Sequence, residues 1–191
     1  MINNDEFFSD LAKAKPSERI VRMALEDALS DKGMEFKDVA DEKSCRYKGD
    51  IEVVCNGKSS FIDVKDDGVW HKTGNLLAED QLSYYGGPRT SGFMRHAKYN
   101  LVAYHSKKLQ KILLIDFKGW QKVYKKPSYG YRKTIKHPTQ TTYGYLNPIQ
   151  KLKDEGIVCF EIDYDYSGKY ENPSHVECIS IKRYGKYAKA S

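Results

Sequence analysis

Two β-rich runs, IEVVC (51–55) and KSSFIDV (58–64), are separated only by Asn56-Gly57. Asn-Gly is the strongest short-range signal for a two-residue hairpin turn, because both central residues must take positive φ. Such a turn fixes the register. With Cys55 and Lys58 flanking it, opposed residues have numbers summing to 113, so Ile51 faces Ile62, Val53 faces Ser60 and Asp50 faces Asp63. Side chains alternate along a strand, which puts Asp50, Asp63 and Lys65 on one face and Ile51, Val53, Ile62 and Val64 on the other. Opposed Cβ atoms lie roughly 5 Å apart, and like charges there are destabilising unless neutralised. A divalent cation would neutralise the two acids.

The remaining elements follow from local signals. Ser17 is an N-cap candidate for a helix running to about Lys32 and stopped by Gly33, with Pro16 disfavouring helix before it. Val21, Ala24, Leu25, Ala28 and Leu29 form its apolar stripe, and Glu18 lies at the edge of that stripe. Before it, Phe7, Phe8 and Leu11 fit a short helix or ordered arm. EFKDVADE (35–42) or SCRYK (44–48) supplies a strand ahead of the hairpin. After a polar loop, LLAEDQLSYY (76–85) reads as a second short helix before Gly86-Gly87. YNLVAYHS (99–106) and KILLIDF (111–117) read as strands buried on both faces. Residues 118–145 read as a long, partly irregular insertion with a short helix near GWQKVYK. Asn147-Pro148 opens a helix ended by Gly156, and IVCFEIDYDY and HVECISIKRY are two further strands. The expected fold is α/β (α+β): a mixed central sheet flanked by helices in one domain, with a core over 17–117 and an extension of helix and strands over 118–191.

Charge is distributed unevenly. The net charge is +6, yet residues 81–153 hold fifteen Lys and Arg against one acid, Asp116. That half attracts polyanions, and its mixture of lysines and aromatics, as in WQKVYKKPSYGYRK, suits phosphate contact with base stacking. Ordinary solvated surface is the plainer reading. The N-terminus lacks an apolar signal segment and the longest aliphatic run is only ILLI, 112–115, so the chain reads as soluble, cytoplasmic and without a membrane partner. Cysteines 45, 55, 159 and 178 include no CxxC pair and suggest neither disulfides nor zinc. The five histidines have no metalloprotease spacing, and no GxSxG elbow occurs.

Phosphodiester hydrolysis needs a cation on the phosphate, an activated water and a positive group near the developing charge. The hairpin face offers two acids and a lysine for this. An Asp, twelve intervening residues and then Asp-Val-Lys, spanning a hairpin and preceded by a helix with an inward Glu, resembles the PD-(D/E)xK nuclease superfamily, which includes restriction endonucleases and Holliday-junction resolvases. The resemblance spans about residues 17–117, with Gly49 where the motif name has Pro. It implies a restriction-endonuclease-like core and a DNA-cleaving, Mg²⁺-dependent activity, with Mn²⁺ as a substitute. It further implies that Asp50, Asp63, Val64 and Glu18 bind metal, that Lys65 is the catalytic lysine, and that Gln81 is a polar residue near the site. No nucleotide cofactor is implied; a homodimer is open.

The acid-free stretch 117–153 then becomes one wall of a nucleic-acid groove, with Lys125, Lys126, Arg132, Lys133 and Lys136 on phosphates and Tyr129 or Tyr131 on bases; Arg89, Arg95 and Lys98 are the alternative surface. A nuclease-like fold that binds nucleic acid or a protein partner without cutting is the competing expectation.

Overall fold

The computed structural model describes residues 4–29, 32–39, 49–66 and 69–189, with side chains from residue 15 onward except at 187 and 189. The SCRYK strand candidate, Cys45, and the side chains of Phe7, Phe8 and Leu11 lie outside the described residues. Strands β1 (Glu35–Asp38), β2 (Ile51–Cys55), β3 (Lys58–Asp66), β6 (Leu101–Ser106), β7 (Lys111–Asp116), β10 (Val158–Lys169) and β11 (Asn172–Arg183) form a seven-stranded mixed sheet in the order β1-β2-β3-β6-β7-β10-β11. A second sheet has the order β5-β4-β9-β8, from β4 (Asn75–Tyr84), β5 (Thr90–Ser91), β8 (Tyr131–Lys136) and β9 (Gln140–Pro148). Both sheets draw strands from either side of residue 117.

The expected hairpin forms. Asn56 (φ 50) and Gly57 (φ 71) make the turn, and the ladder pairs Ile51 with Ile62, Val53 with Ser60 and Cys55 with Lys58. β3 then runs parallel to β6, Asp63 beside Val102 and Lys65 beside Tyr104. A parallel pair needs a crossover. The crossover holds the short helices α2 (Trp70–Thr73) and α3 (Phe93–His96) with β4 and β5 between them.

Three expectations are corrected. The first helix, α1, runs without a break from Asn4 to Ala28 and carries Pro16 in its interior. A proline there removes one helical hydrogen bond, but the half that follows is held by burial of Ile20, Val21, Ala24 and Leu25 against the sheet. Ser17 is accordingly not an N-cap; its hydroxyl donates to Asp66 Oδ2 (2.6 Å) and shares a 2.7 Å bond with the Tyr170 hydroxyl. LLAEDQLSYY is a strand rather than a helix, because β4 pairs with β9 from Asn75↔Pro148 to Tyr84↔Gln140 and buries Leu76 and Ala78 completely. Residues 118–145 are more regular than expected: after α4 (Phe117–Gln121), β8 and β9 form an antiparallel pair from Tyr131↔Leu146 to Lys136↔Thr141.

Two apolar layers flank the large sheet. α1 covers one face through Ile20, Val21, Ala24 and Leu25 on Ile51, Ile62, Ala103, Ile112 and Leu114. The other face is covered by Trp70, Phe93, Trp120, α5 (Ile149–Asp154) and the β4 residues Leu76 and Ala78. Asn147, fully buried, locks the second sheet to this layer: its Oδ1 accepts from Trp120 Nε1 (2.8 Å) and its amide donates to the Tyr124 and Tyr129 carbonyls.

Candidate active site

The ladder between β2 and β3 ends at Ile51↔Ile62, and Asp50 sits one residue outside it. Its backbone N–H donates to the Ile62 carbonyl (2.8 Å), its carbonyl accepts from Val39 N–H (2.9 Å), and its Oδ2 accepts from Val64 N–H (2.7 Å). The entry is tight. Gly49 has φ 132, and a Cβ on it would stand 2.7 Å from the Ile62 oxygen. Neither proline nor another L-residue fits that conformation without strain, so this entry into β2 calls for glycine.

Asp63 and Lys65 share the opposite face from Ile62, as the alternation requires, and Lys65 Nζ lies 2.8 Å from Asp63 Oδ2. Burial first, and the neighbouring Asp63 charge second, push the Asp50 carboxyl up to about 6, against the Val64 N–H and Lys65. Burial works against the Lys65 ammonium, but Asp63, Asp50 and a third acid, Glu79, outweigh it and raise its pKa. Lys65 Nζ is also 5.0 Å from the Phe93 ring centroid. The buried Tyr99 hydroxyl lies against Asp63, and burial with that charge drives its pKa far above the ordinary tyrosine range.

Glu79 is the residue that sequence reasoning missed. It comes from β4, where burial raises its pKa against the pull of Lys65 and a hydrogen bond from the Phe93 N–H. Reading the segment as a helix hid the alternation that sends Leu77 and Glu79 to one side and buries Leu76 and Ala78 on the other. Lys65 and Glu79 lie together in the lining of a cleft of about 730 Å³ between the end of β3 and the second sheet.

The other expected site residues divide. α1, which carries the buried Glu18, packs on the Ile62 side of β3, across the sheet from Asp63 and Lys65. Gln81 is half-buried on β4, opposite Tyr143 and Ser91, past a bulge that separates it from Glu79. Tyr131 and Lys133 line the same cleft as Lys65, and Tyr131 is 58% exposed. Arg132 and Lys136 alternate to the other face of β8. Arg95 and Lys125 are paired with Asp80: Arg95 makes two bonds to its oxygens (2.8 and 2.6 Å), Lys125 Nζ is 2.9 Å away, and the Tyr124 hydroxyl adds a third partner. Arg95 above all holds that carboxyl far below the usual range. Tyr129 packs on the apolar layer with Lys151 Nζ 5.4 Å from its ring centroid, and Arg89 stacks at 4.0 Å over Tyr143. Lys98 and Lys126 are exposed.

Among the described residues no three acid, imidazole or thiol side chains converge as a ready ligand set. Asp50, its carboxyl raised to about 6 by burial and then by the Asp63 charge, and Asp63 beside it nevertheless fit a hard cation that takes one or two carboxylates and fills its other positions with water and substrate oxygens. No described helix is long and apolar enough to cross a membrane. No family model matches the chain, and no curated protein does. Among solved structures, a bacterial homing endonuclease, I-Ssp6803I, is similar with a TM-score of 0.40 and 11% identity, over 67% of this chain and 76% of that one.

Proposed function

We propose that this chain is a metal-dependent nuclease that hydrolyses phosphodiester bonds in DNA, with a PD-(D/E)xK-type site on Asp50, Asp63 and Lys65. The observation that carries the reading is the 2.8 Å pairing of Asp63 with Lys65, which lines an open cleft, beside the half-buried Asp50. Three acids, Asp50, Asp63 and Glu79, surround one lysine, and the surplus of negative charge suits a divalent cation. Asp50, Asp63 and the main chain at Val64 would hold Mg²⁺, or Mn²⁺ in its place. When bound, the ion supplies an acidified water and charge neutralisation on the phosphate.

The chain's own groups do the rest. Asp63 fixes the Lys65 ammonium, which orients the attacking water and stabilises the negative charge that develops on the phosphate oxygens. Water oxygen adds to phosphorus, one P–O ester bond breaks, and the water proton ends on the departing oxygen, leaving a phosphate monoester and a hydroxyl. In this reading Glu79, rather than Gln81, is the β4 residue that faces Lys65. Glu18, across the sheet, serves the contact between α1 and β3.

Exposed Tyr131 and Lys133 on β8 favour a second reading, a DNA-binding module without cleavage, because such a surface binds whether or not the acids are catalytic. Calorimetric titration with Mg²⁺ and Mn²⁺ separates the two. Cation binding lost in Asp50→Asn, together with EDTA-sensitive nicking of DNA, supports the nuclease; salt-sensitive DNA binding with no cation site supports the binding module.

A further inference from the structure

β8 is the outermost strand of the second sheet, and its alternation sends Tyr131, Lys133 and Ile135 into the cleft that holds Lys65. The cleft wall behind them is apolar and aromatic, with Leu77, Phe93 and Tyr104. Its volume, about 730 Å³, falls within the usual range for small-molecule sites. Tyr131 keeps 58% of its surface exposed at the rim, an aromatic face with nothing of the described chain stacked on it among the ring contacts.

Access to a base face discriminates among nucleic-acid forms. A continuous duplex offers base edges in grooves about 12 and 6 Å wide and keeps its base faces stacked inside. For a base face to meet Tyr131 beside Lys65, that base must be out of the stack. Resting on the nuclease reading above, we infer that the cleft takes one unstacked nucleotide next to the scissile phosphate, with Tyr131 on the base and Lys133 on a flanking phosphate. The substrate class is then single-stranded or locally unpaired DNA, such as a flap, loop or bubble.

The test is binding in EDTA of an oligonucleotide carrying 2-aminopurine, presented as a single strand, as a continuous duplex and as a duplex with a central bubble. The single strand and bubble should bind more tightly than the duplex, with fluorescence quenched by stacking. Tyr131→Ala should weaken their binding by roughly 5- to 100-fold and restore the fluorescence, whereas Tyr131→Phe should retain both. Equal binding of duplex and single strand, or unchanged binding by Tyr131→Ala at an unchanged melting temperature, would overturn the inference. Because no metal is present, the outcome is independent of cleavage. A protein that binds this way but never cuts would sink the nuclease reading alone, and one that cuts continuous duplex as fast as single strands would sink this inference alone.

Discussion

The Asp50 carboxylate accepts a 2.7 Å hydrogen bond from the backbone N–H of Val64, which ties the entry of β2 to the part of β3 that carries Asp63 and Lys65. The bond forms just past the end of the β2–β3 ladder, where Val64 still pairs with Ala103 of β6 but no longer has a partner on β2. The acid therefore satisfies the strand edge and is aimed at the site by the same contact.

Gly49 holds this entry. Its φ of 132 and the 2.7 Å approach of a Cβ to the Ile62 oxygen mean that Gly49→Ala must strain or shift the backbone. Strain of this kind costs about 1–3 kcal/mol. Thermal unfolding should shift down by roughly 2–12 °C for a chain of this size. Cleavage should fall further than in a control of equal stability, because Asp50 moves.

Asp50 and Glu79 should show the opposite pattern from structural acids. A carboxyl raised from 3.8 to about 6 makes the folded state less stable as pH rises through that window, by on the order of 2–3 kcal/mol above it. At pH 7.5, Asp50→Asn should therefore raise the melting temperature of the metal-free protein, and in parallel assays with Mg²⁺ it should abolish cleavage. Glu79→Gln, whose parent carboxyl is also raised, should leave stability unchanged or higher and lower kcat/KM by at least tenfold. A loss of stability in both variants would contradict the assignment.

Glu161 provides the contrast. It is 5% exposed on β10, and Lys111, Lys153 and Tyr184 all hydrogen-bond its carboxylate. Burial raises its pKa, but these partners win and hold it at about 2, against an ordinary 4.5. A depressed carboxyl contributes stability that is complete above its unfolded value and disappears as pH falls through the folded one. Melting temperature should thus decline between about pH 4.5 and pH 2, and in Glu161→Gln that decline should be flatter and start from a lower value.

The basic wall should respond residue by residue. Each phosphate contact changes the slope of log K against log salt by about 0.7 to 0.9. Lys133→Ala, in the cleft, should flatten the DNA-binding slope by about one contact, whereas Arg132→Ala with Lys136→Ala, on the other face of β8, should change it little. Arg95→Ala should instead lower the melting temperature, since the buried Asp80 loses its two-bond partner and keeps only Lys125 and Tyr124.

The parts of this architecture visible in the sequence are those set by local chemistry. Asn56-Gly57 can hardly avoid a turn, and the turn alone determines that Ile51 meets Ile62 and that Asp63 and Lys65 share a face. Gly49 and Asp50 departed from the ideal register because a backbone bond from Asp50 to Ile62 slips the ladder at its end. The second sheet was illegible for a different reason. Leu76, Ala78, Glu79 and Gln81 are good helix formers, and only pairing with β9, some sixty residues further along the chain, makes them a strand. Glu79 went unseen with it. The basic residues looked equivalent in the sequence, yet Arg95 and Lys125 face a buried acid and Lys133 faces the cleft, a distinction that exists only after folding.

The most direct test of the central claim is single-turnover cleavage of labelled DNA with Mg²⁺ or Mn²⁺, comparing the wild-type protein with Asp63→Ala and Lys65→Ala purified in parallel. Removing one group of such a site costs roughly 10²–10⁴ in rate. Both variants should lose cleavage by at least that lower figure while remaining folded by circular dichroism, and EDTA should stop the wild-type reaction. Full activity in Asp63→Ala would show that the pairing of Asp63 with Lys65 is not the seat of the chemistry.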